Sequence, residues 1–430
     1  MEKWIDEAFA RACEKMERGA KRAAEQGIIP YMGQKDGYSP APYDGNSWWT
    51  GGFWPGIMWQ LYAATGRDVY KDEALRVEAL LTAELRSFML LNHDVGFMYL
   101  LSTGAHDRLI GDAQAYADTL HAATLLAGRF NPTGFIRAWP QADRAGYAII
   151  DCMMNLSLLY WASEKTGDPR FEAIARIHAD TTIREFIRED GSSNHIVIFD
   201  PKTGKALEKP GGQGYAPGSS WSRGQAWALY GFTLSGINTG DRKYIDVARK
   251  CAKYFIANIR EDGLTDCDFR QPKDEERIDN IAGACAACGL LELANVVGGE
   301  EAETYRAAAM KLLTALNALC ADWTDGNMGI LQKCTASYHN DGAGRHVNIL
   351  YGDYFFIEAL CKLRGTDARL TLDFGREVEI DALTLYLRAD FPHDAYWISG
   401  TVTRIPAAPR KADRRRRAPY FTSAVSLTTK

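Results

Sequence analysis

At 430 residues, 46% hydrophobic and 24% charged, the chain has the make-up of a soluble globular protein, long enough for one large domain or several average ones. A formal net charge of −5 argues against general nucleic-acid binding, and the acids in Met1-Glu2-Lys3-Trp4-Ile5-Asp6-Glu7 argue against a signal peptide. No uncharged apolar run reaches membrane-spanning length, and nine cysteines without a framework spacing point to reduced thiols and a cytoplasmic address.

Strongly apolar and amphipathic helical stretches alternate along the chain. The first apolar stretch covers 54–64, and Thr65-Gly66-Arg67-Asp68-Val69-Tyr70 opens an amphipathic partner through Ala74, Val77, Leu80 and Leu81. A degenerate copy is expected at 110–126, where Ala113, Tyr116, Ala117 and Leu120 share a face. The stretch 149–162 is apolar nearly all round the helical wheel, which predicts a helix enclosed by other protein. Thr166-Gly167-Asp168-Pro169-Arg170-Phe171 follows it, and Thr239-Gly240-Asp241-Arg242-Lys243-Tyr244 follows the apolar 226–234. A further apolar helix at 281–294 holds Cys285 and Cys288, a lone C-x-x-C better read as small core residues than as zinc ligands. A weaker phrase from Gly298 to Tyr305 comes next, and 354–363 is the last helix.

Each phrase ends one helix at glycine, starts the next with an acid and seats an aromatic in its first turns. Repeated helix pairs of about 50 residues build solenoids or closed rings. The alternation of buried and half-exposed helices predicts an all-α toroid over residues 1–364, with the long links gathered at one mouth. Beyond Gly365 the hydrophobic period becomes two, so 365–403 is expected to be a partial β-like extension. The basic segment 404–430, with Arg414-Arg415-Arg416-Arg417, is expected to be a solvated tail.

Asp151 is the formal charge at the start of the 149–162 helix. An enclosed carboxylate needs hydrogen bonds, a cation or a raised pKa; the plain alternative is an N-cap. Four links supply the residue types of a sugar site: Trp48, Trp49 and Trp54 beside paired glycines; His93 with Asp94; Arg137-Ala138-Trp139; and Gly212-Gln213 through Trp221, Arg223 and Trp227. Indoles pack on pyranose faces, polar side chains meet hydroxyls, and arginine grips a planar carboxylate, so an acidic sugar suits the set. The segment 334–348 is a candidate contact for a second sugar. Taken singly, the tryptophans also read as packing. His93 with His195 lacks metal-site spacing, and glycines 211–214 do not follow a βαβ strand. Neither metal nor cofactor is implied.

Six blocks in order then resemble the unsaturated glucuronyl hydrolases, glycoside hydrolase family eighty-eight. They are Trp49-Thr50-Gly51-Gly52-Phe53-Trp54, His93-Asp94-Val95-Gly96-Phe97, Ile149-Ile150-Asp151-Cys152, Ser192-Ser193-Asn194-His195 with Phe199-Asp200-Pro201, Trp221 through Trp227, and Gly352-Asp353-Tyr354. The resemblance implies an (α/α)6 barrel with Asp151 as general acid/base and Asp94 as the second carboxylate, kept anionic. It also implies that Trp49, His93, Trp139, His195, Gln213, Trp221, Arg223 and Trp227 line the sugar site. Gly212 and Gly52 depart from residues that some members carry, a histidine and an aspartate, and both are expected at the pocket's edge. The implied substrate is an oligosaccharide ending in a 4,5-unsaturated uronic acid, handled by a monomer or weak oligomer. An unsaturated rhamnogalacturonyl hydrolase, a conventional two-carboxylate glycosidase, a sugar epimerase and a carbohydrate-binding toroid are the alternatives.

Overall fold

The computed structural model describes residues 2–41, 45–273 and 276–366. Beyond its first two residues, which fall in the last helix, the expected β-like extension lies outside the described residues, and so does the basic tail. Among the described residues are twelve α-helices: α1 Lys3–Gln26, α2 Phe53–Thr65, α3 Asp68–Ser87, α4 Thr103–Ile110, α5 Ala113–Gly128, α6 Cys152–Thr166, α7 Pro169–Glu185, α8 Ser222–Thr239, α9 Arg242–Ala257, α10 Asn280–Val297, α11 Gly299–Leu319 and α12 Leu350–Thr366.

The alternation in the sequence is the alternation of two rings. Helix α2, the π-helical turn Gly96–Leu100 with α4, and helices α6, α8, α10 and α12 pack side by side as an inner ring, which closes where α12 meets α2. The odd-numbered helices wrap it, and α1 lies against both α3 and α12. From Ser222 to Gly236 every residue of α8 is buried, whereas α9 buries one stripe including Tyr244, Val247, Ala248 and Cys251. Helix α10 is long and apolar enough to cross a bilayer, yet it is an inner helix with 83% of that span buried. The fold is the (α/α)6 barrel.

The repeated phrase does the work expected of it. Asp168 and Asp241 accept the backbone N–H of Arg170 and Lys243 at the starts of α7 and α9. Tyr70, Phe171, Tyr244 and Tyr305 all point into the core. In the first copy Arg67 occupies the cap position and Asp68 lies inside the first turn.

Two elements differ from expectation. The degenerate copy begins earlier than 110–126: its inner half is a π-helical turn, Gly96–Leu100, continued by α4, and Asp112 caps α5 through the Gln114 and Ala115 N–H groups. The apolar stretch expected to be helical from 149 starts as a strand. Tyr147–Ile149 pairs antiparallel with Ile196–Phe199, a β-branched and aromatic run suited to extended backbone, and α6 begins at Cys152. Gly52, expected at the pocket's edge, is buried against backbone. A Cβ there would overlap the Phe97 carbonyl and the Met98 backbone, so this position is where a short 3-10 turn presses on the π-helical turn.

Candidate active site

Each inner helix is followed by an outer helix running back, so all six inner helices begin at the same end of the barrel. The links before them carry the candidate residues. Asp151 immediately precedes α6 with helical backbone angles, but its carboxylate makes no capping hydrogen bond, which rejects the plain N-cap reading. It is 8% exposed, and its Oδ2 has no hydrogen-bond partner. The nearest cationic candidate is His195, whose Nε2 lies 3.7 Å from that oxygen. Burial pushes the Asp151 carboxyl up to about 7, with the Arg223 guanidinium opposing the rise.

Asp94, 7% exposed, is held beside it by Asn155, one helical turn after Asp151. The Asn155 amide nitrogen donates to Asp94 Oδ1 at 3.1 Å and to the Asp151 carbonyl at 3.2 Å, while its oxygen accepts the Phe97 N–H at 2.8 Å. His93 Nε2 lies 3.4 Å from Asp94 Oδ2. Burial first, and then the Asp151 charge, push Asp94 well above the usual carboxylate range. Two enclosed carboxyls repel, so each makes the other's ionisation harder, while Arg129 near Asp94 and Arg223 near Asp151 oppose the rise.

His195 is fixed in one tautomer. Its Nδ1 accepts the Gln213 backbone N–H at 2.8 Å, so the neutral ring carries its proton on Nε2, the nitrogen facing Asp151. Burial holds its pKa down at about 3. The ring packs on Trp221 at 4.3 Å. Gly212, at φ +60°, lies so close to this imidazole that a Cβ would overlap Nδ1. Gln213 in turn donates through Nε2 to the Ala336 carbonyl at 2.8 Å, and its own carbonyl accepts the Tyr338 N–H at 2.8 Å. It clamps two loops together, and 334–348 thereby reaches the site.

Arg223 does not stand free to grip a carboxylate. It is 1% exposed, paired with Asp279, bonded to the Thr335 and Ala336 carbonyls, and stacked over Trp221 at 4.5 Å. Half-buried Trp49 packs on Phe97 and, at 5.0 Å, on Tyr351. Half-buried Trp139 lies between Tyr147 and the Arg144 guanidinium, next to Ala138, whose carbonyl accepts the His93 N–H. Trp227 is fully buried and packs on Phe97 and Phe355.

The residues missed are the ones that hold the others. Asn155 follows Asp151 by four positions and so shares its helical face, a spacing that could have disclosed it. Asp279, just ahead of an apolar helix, resembled an ordinary cap, and Tyr351 and Arg129 carried no local signal. Arg129 donates to the Arg137 and Ala138 carbonyls and lies near Asp94. Among the described residues no three His, Cys, Asp or Glu side chains converge as metal ligands would. A groove of about 350 Å³ between α3, α4 and α5 holds none of the candidate residues.

Known proteins share much of this sequence and its fold. The unsaturated glucuronyl hydrolase of Bacillus sp. strain GL1 is 38% identical over 338 residues, 76% of this chain and 89% of that protein. Its crystal structure superposes with a TM-score of 0.78 at 34% identity, over 84% of this chain and 96% of that one. The unsaturated chondroitin disaccharide hydrolase of Streptococcus pneumoniae is 32% identical, covering 76% of this chain and 86% of its own. The model of Glycosyl Hydrolase Family 88 matches residues 24–362, nearly the whole helical ring, and the chain belongs to that family.

Proposed function

We propose that the enzyme removes a 4,5-unsaturated uronic acid from the non-reducing end of lyase-generated oligosaccharides by hydrating the C4=C5 double bond. The observation that carries this reading is the buried pair of carboxyls, with Asp151 Oδ2 unpartnered and poised near neutrality. That bond is a vinyl ether, which accepts a proton at carbon. Asp151 gives its proton to C4 while positive charge develops at C5 and the ring oxygen. The resulting carboxylate then takes a proton from water as the water oxygen bonds to C5. The C5 hemiketal opens by breaking its bond to the ring oxygen, which leaves a ketone at C5 and a hemiacetal at C1. Collapse of that hemiacetal releases the remaining sugar, and one water is consumed overall.

Repulsion of a second charge would let Asp94 hold Asp151 protonated, and Asp94, when ionised, would steady the positive charge that develops at C5 and the ring oxygen. His195 Nε2–H would be a donor to Asp151 or to the incoming water. Trp49, Trp139 and Trp221 are the ring-packing surfaces, and Gln213 and His93 are the polar contacts. Residues 1–364 would act as one catalytic barrel. The nine cysteines, all buried free thiols, support a reducing, cytoplasmic setting.

A panel of lyase-generated disaccharides tests the reading through loss of the conjugated alkene's ultraviolet absorbance. The expected result is turnover of at least one member, with a rate that falls as pH rises through about 7 because the acid must be protonated. Unchanged absorbance for every member contradicts it.

A further inference from the structure

We propose that Asp279 is a positioning residue for this reaction, one that neutralises Arg223 so that the cation beside Asp151 does not strip Asp151 of its proton. The proposal rests on Asp151 being the general acid. Asp279 caps α10 and is fully buried. Its Oδ2 accepts from Arg223 Nη1, and its Oδ1 accepts the Ile281 and Thr335 N–H groups, each at 3.3 Å. Arg223 Nη1 also donates to the Thr335 carbonyl at 2.8 Å, and Nη2 donates to the Ala336 carbonyl at 2.5 Å. The guanidinium lies over the rings of Trp221 and Tyr351 at 4.5 and 5.5 Å.

A guanidinium keeps its charge in any protein environment, and a charge in so dry a place acts strongly on its neighbours. The titratable and charged groups facing Asp151 come from several elements. Asp94 and His93 belong to the link before the π-helical turn, His195 to the link before α8, Cys152 to α6, and Arg223 to α8; Arg129 stands behind Asp94. His93 and His195 are held neutral by burial, and Cys152 is held as a thiol. Arg223 is thus the cation that acts on Asp151, and Asp279, Tyr351 and Cys267 face it in turn. Of these three Asp279 is the carboxyl, and the guanidinium it pairs with opposes the rise in its pKa that burial brings. The arrangement keeps an arginine at the mouth for stacking and for holding residues 335–336, while cancelling the charge that would favour an ionised Asp151.

The test is the pH dependence of kcat/KM on an unsaturated disaccharide for the wild type, Asp279→Asn, and Asp279→Asn combined with Arg223→Gln. In Asp279→Asn the midpoint of the alkaline limb should move down by about one pH unit or more, because an uncompensated cation favours the carboxylate. Adding Arg223→Gln should return it to the wild-type position. A purely structural role lowers the whole profile without moving the midpoint, and that result overturns the proposal, as does a double variant that stays displaced. Should Asp279→Asn fail to fold, the double variant, which buries no unpaired charge, decides alone: a midpoint at the wild-type position supports the proposal, and one clearly above or below it overturns it. Asp151→Asn in the same assay separates the two readings. If that variant stays active, the general-acid assignment itself fails; if it is inactive while the Asp279→Asn limb is unmoved, only the role of Asp279 fails.

Discussion

Two pairs of carboxyl groups are buried inside the same ring of helices, and the protein treats them differently. Deep in the barrel, Glu292 on α10 and Glu358 on α12 share Lys362, which bonds Glu292 and lies 3.2 Å from Glu358, while the Tyr230 hydroxyl donates to Glu358. At the mouth, Asp94 and Asp151 have an asparagine between them and no cation in contact. The arginine nearest Asp151 is already occupied by Asp279. A carboxylate tied to a lysine has its charge answered and becomes part of the scaffold. One that is equally buried but left unanswered holds its proton near neutral pH, where it can be given away and retrieved.

The strongest way to break this comparison is Asp151→Asn. Loss of general acid–base work should lower turnover by roughly a hundred- to ten-thousand-fold with the fold intact, and near-normal rates would end the assignment. Next comes Lys362→Met, which strands two carboxyls in the deep pair. It should cost about 3–5 kcal/mol of stability by chemical denaturation, and a much smaller loss would mean that the lysine is not what holds the deep pair.

Asp151→Asn also carries a stability prediction of opposite sign. The folded carboxyl is raised from 3.8 to about 7, so its contribution is fully present below the unfolded value and is lost as pH rises through 7. The amide has no such loss and should be more stable than the wild type at pH 8 by on the order of 2–4 kcal/mol, with the difference fading toward pH 4 in thermal melts. The smallest effect is expected at Gly212. Replacement by alanine forces a left-handed residue and displaces His195, costing about 1–2 kcal/mol and roughly ten- to a hundredfold in kcat/KM. An unchanged kcat/KM would remove His195 from the mechanism.

The ring was legible because its repeat is written in local chemistry, a glycine stop, an acid and an aromatic, and because inner and outer helices differ in how far round they are apolar. Asp151 and Asp94 were legible as carboxyls among aromatics and polar residues. What stayed hidden was set by tertiary proximity. Nothing near Arg223 in sequence announces that Asp279 and the carbonyls of 335–336 occupy it. The inner half of the second hairpin was missed because its opening turn is π-helical and breaks the 3.6-residue period. The strand at 147–149 was missed because its partner lies about 50 residues away.

The most direct measurement is the fate of solvent isotopes during turnover of an unsaturated disaccharide in deuterium oxide or oxygen-18 water. Proton delivery from a neutral Asp151 to the double bond places deuterium at C4 and the heavy oxygen at C5. Heavy oxygen at C1 with no deuterium at C4 would show attack at the anomeric carbon and contradict the account.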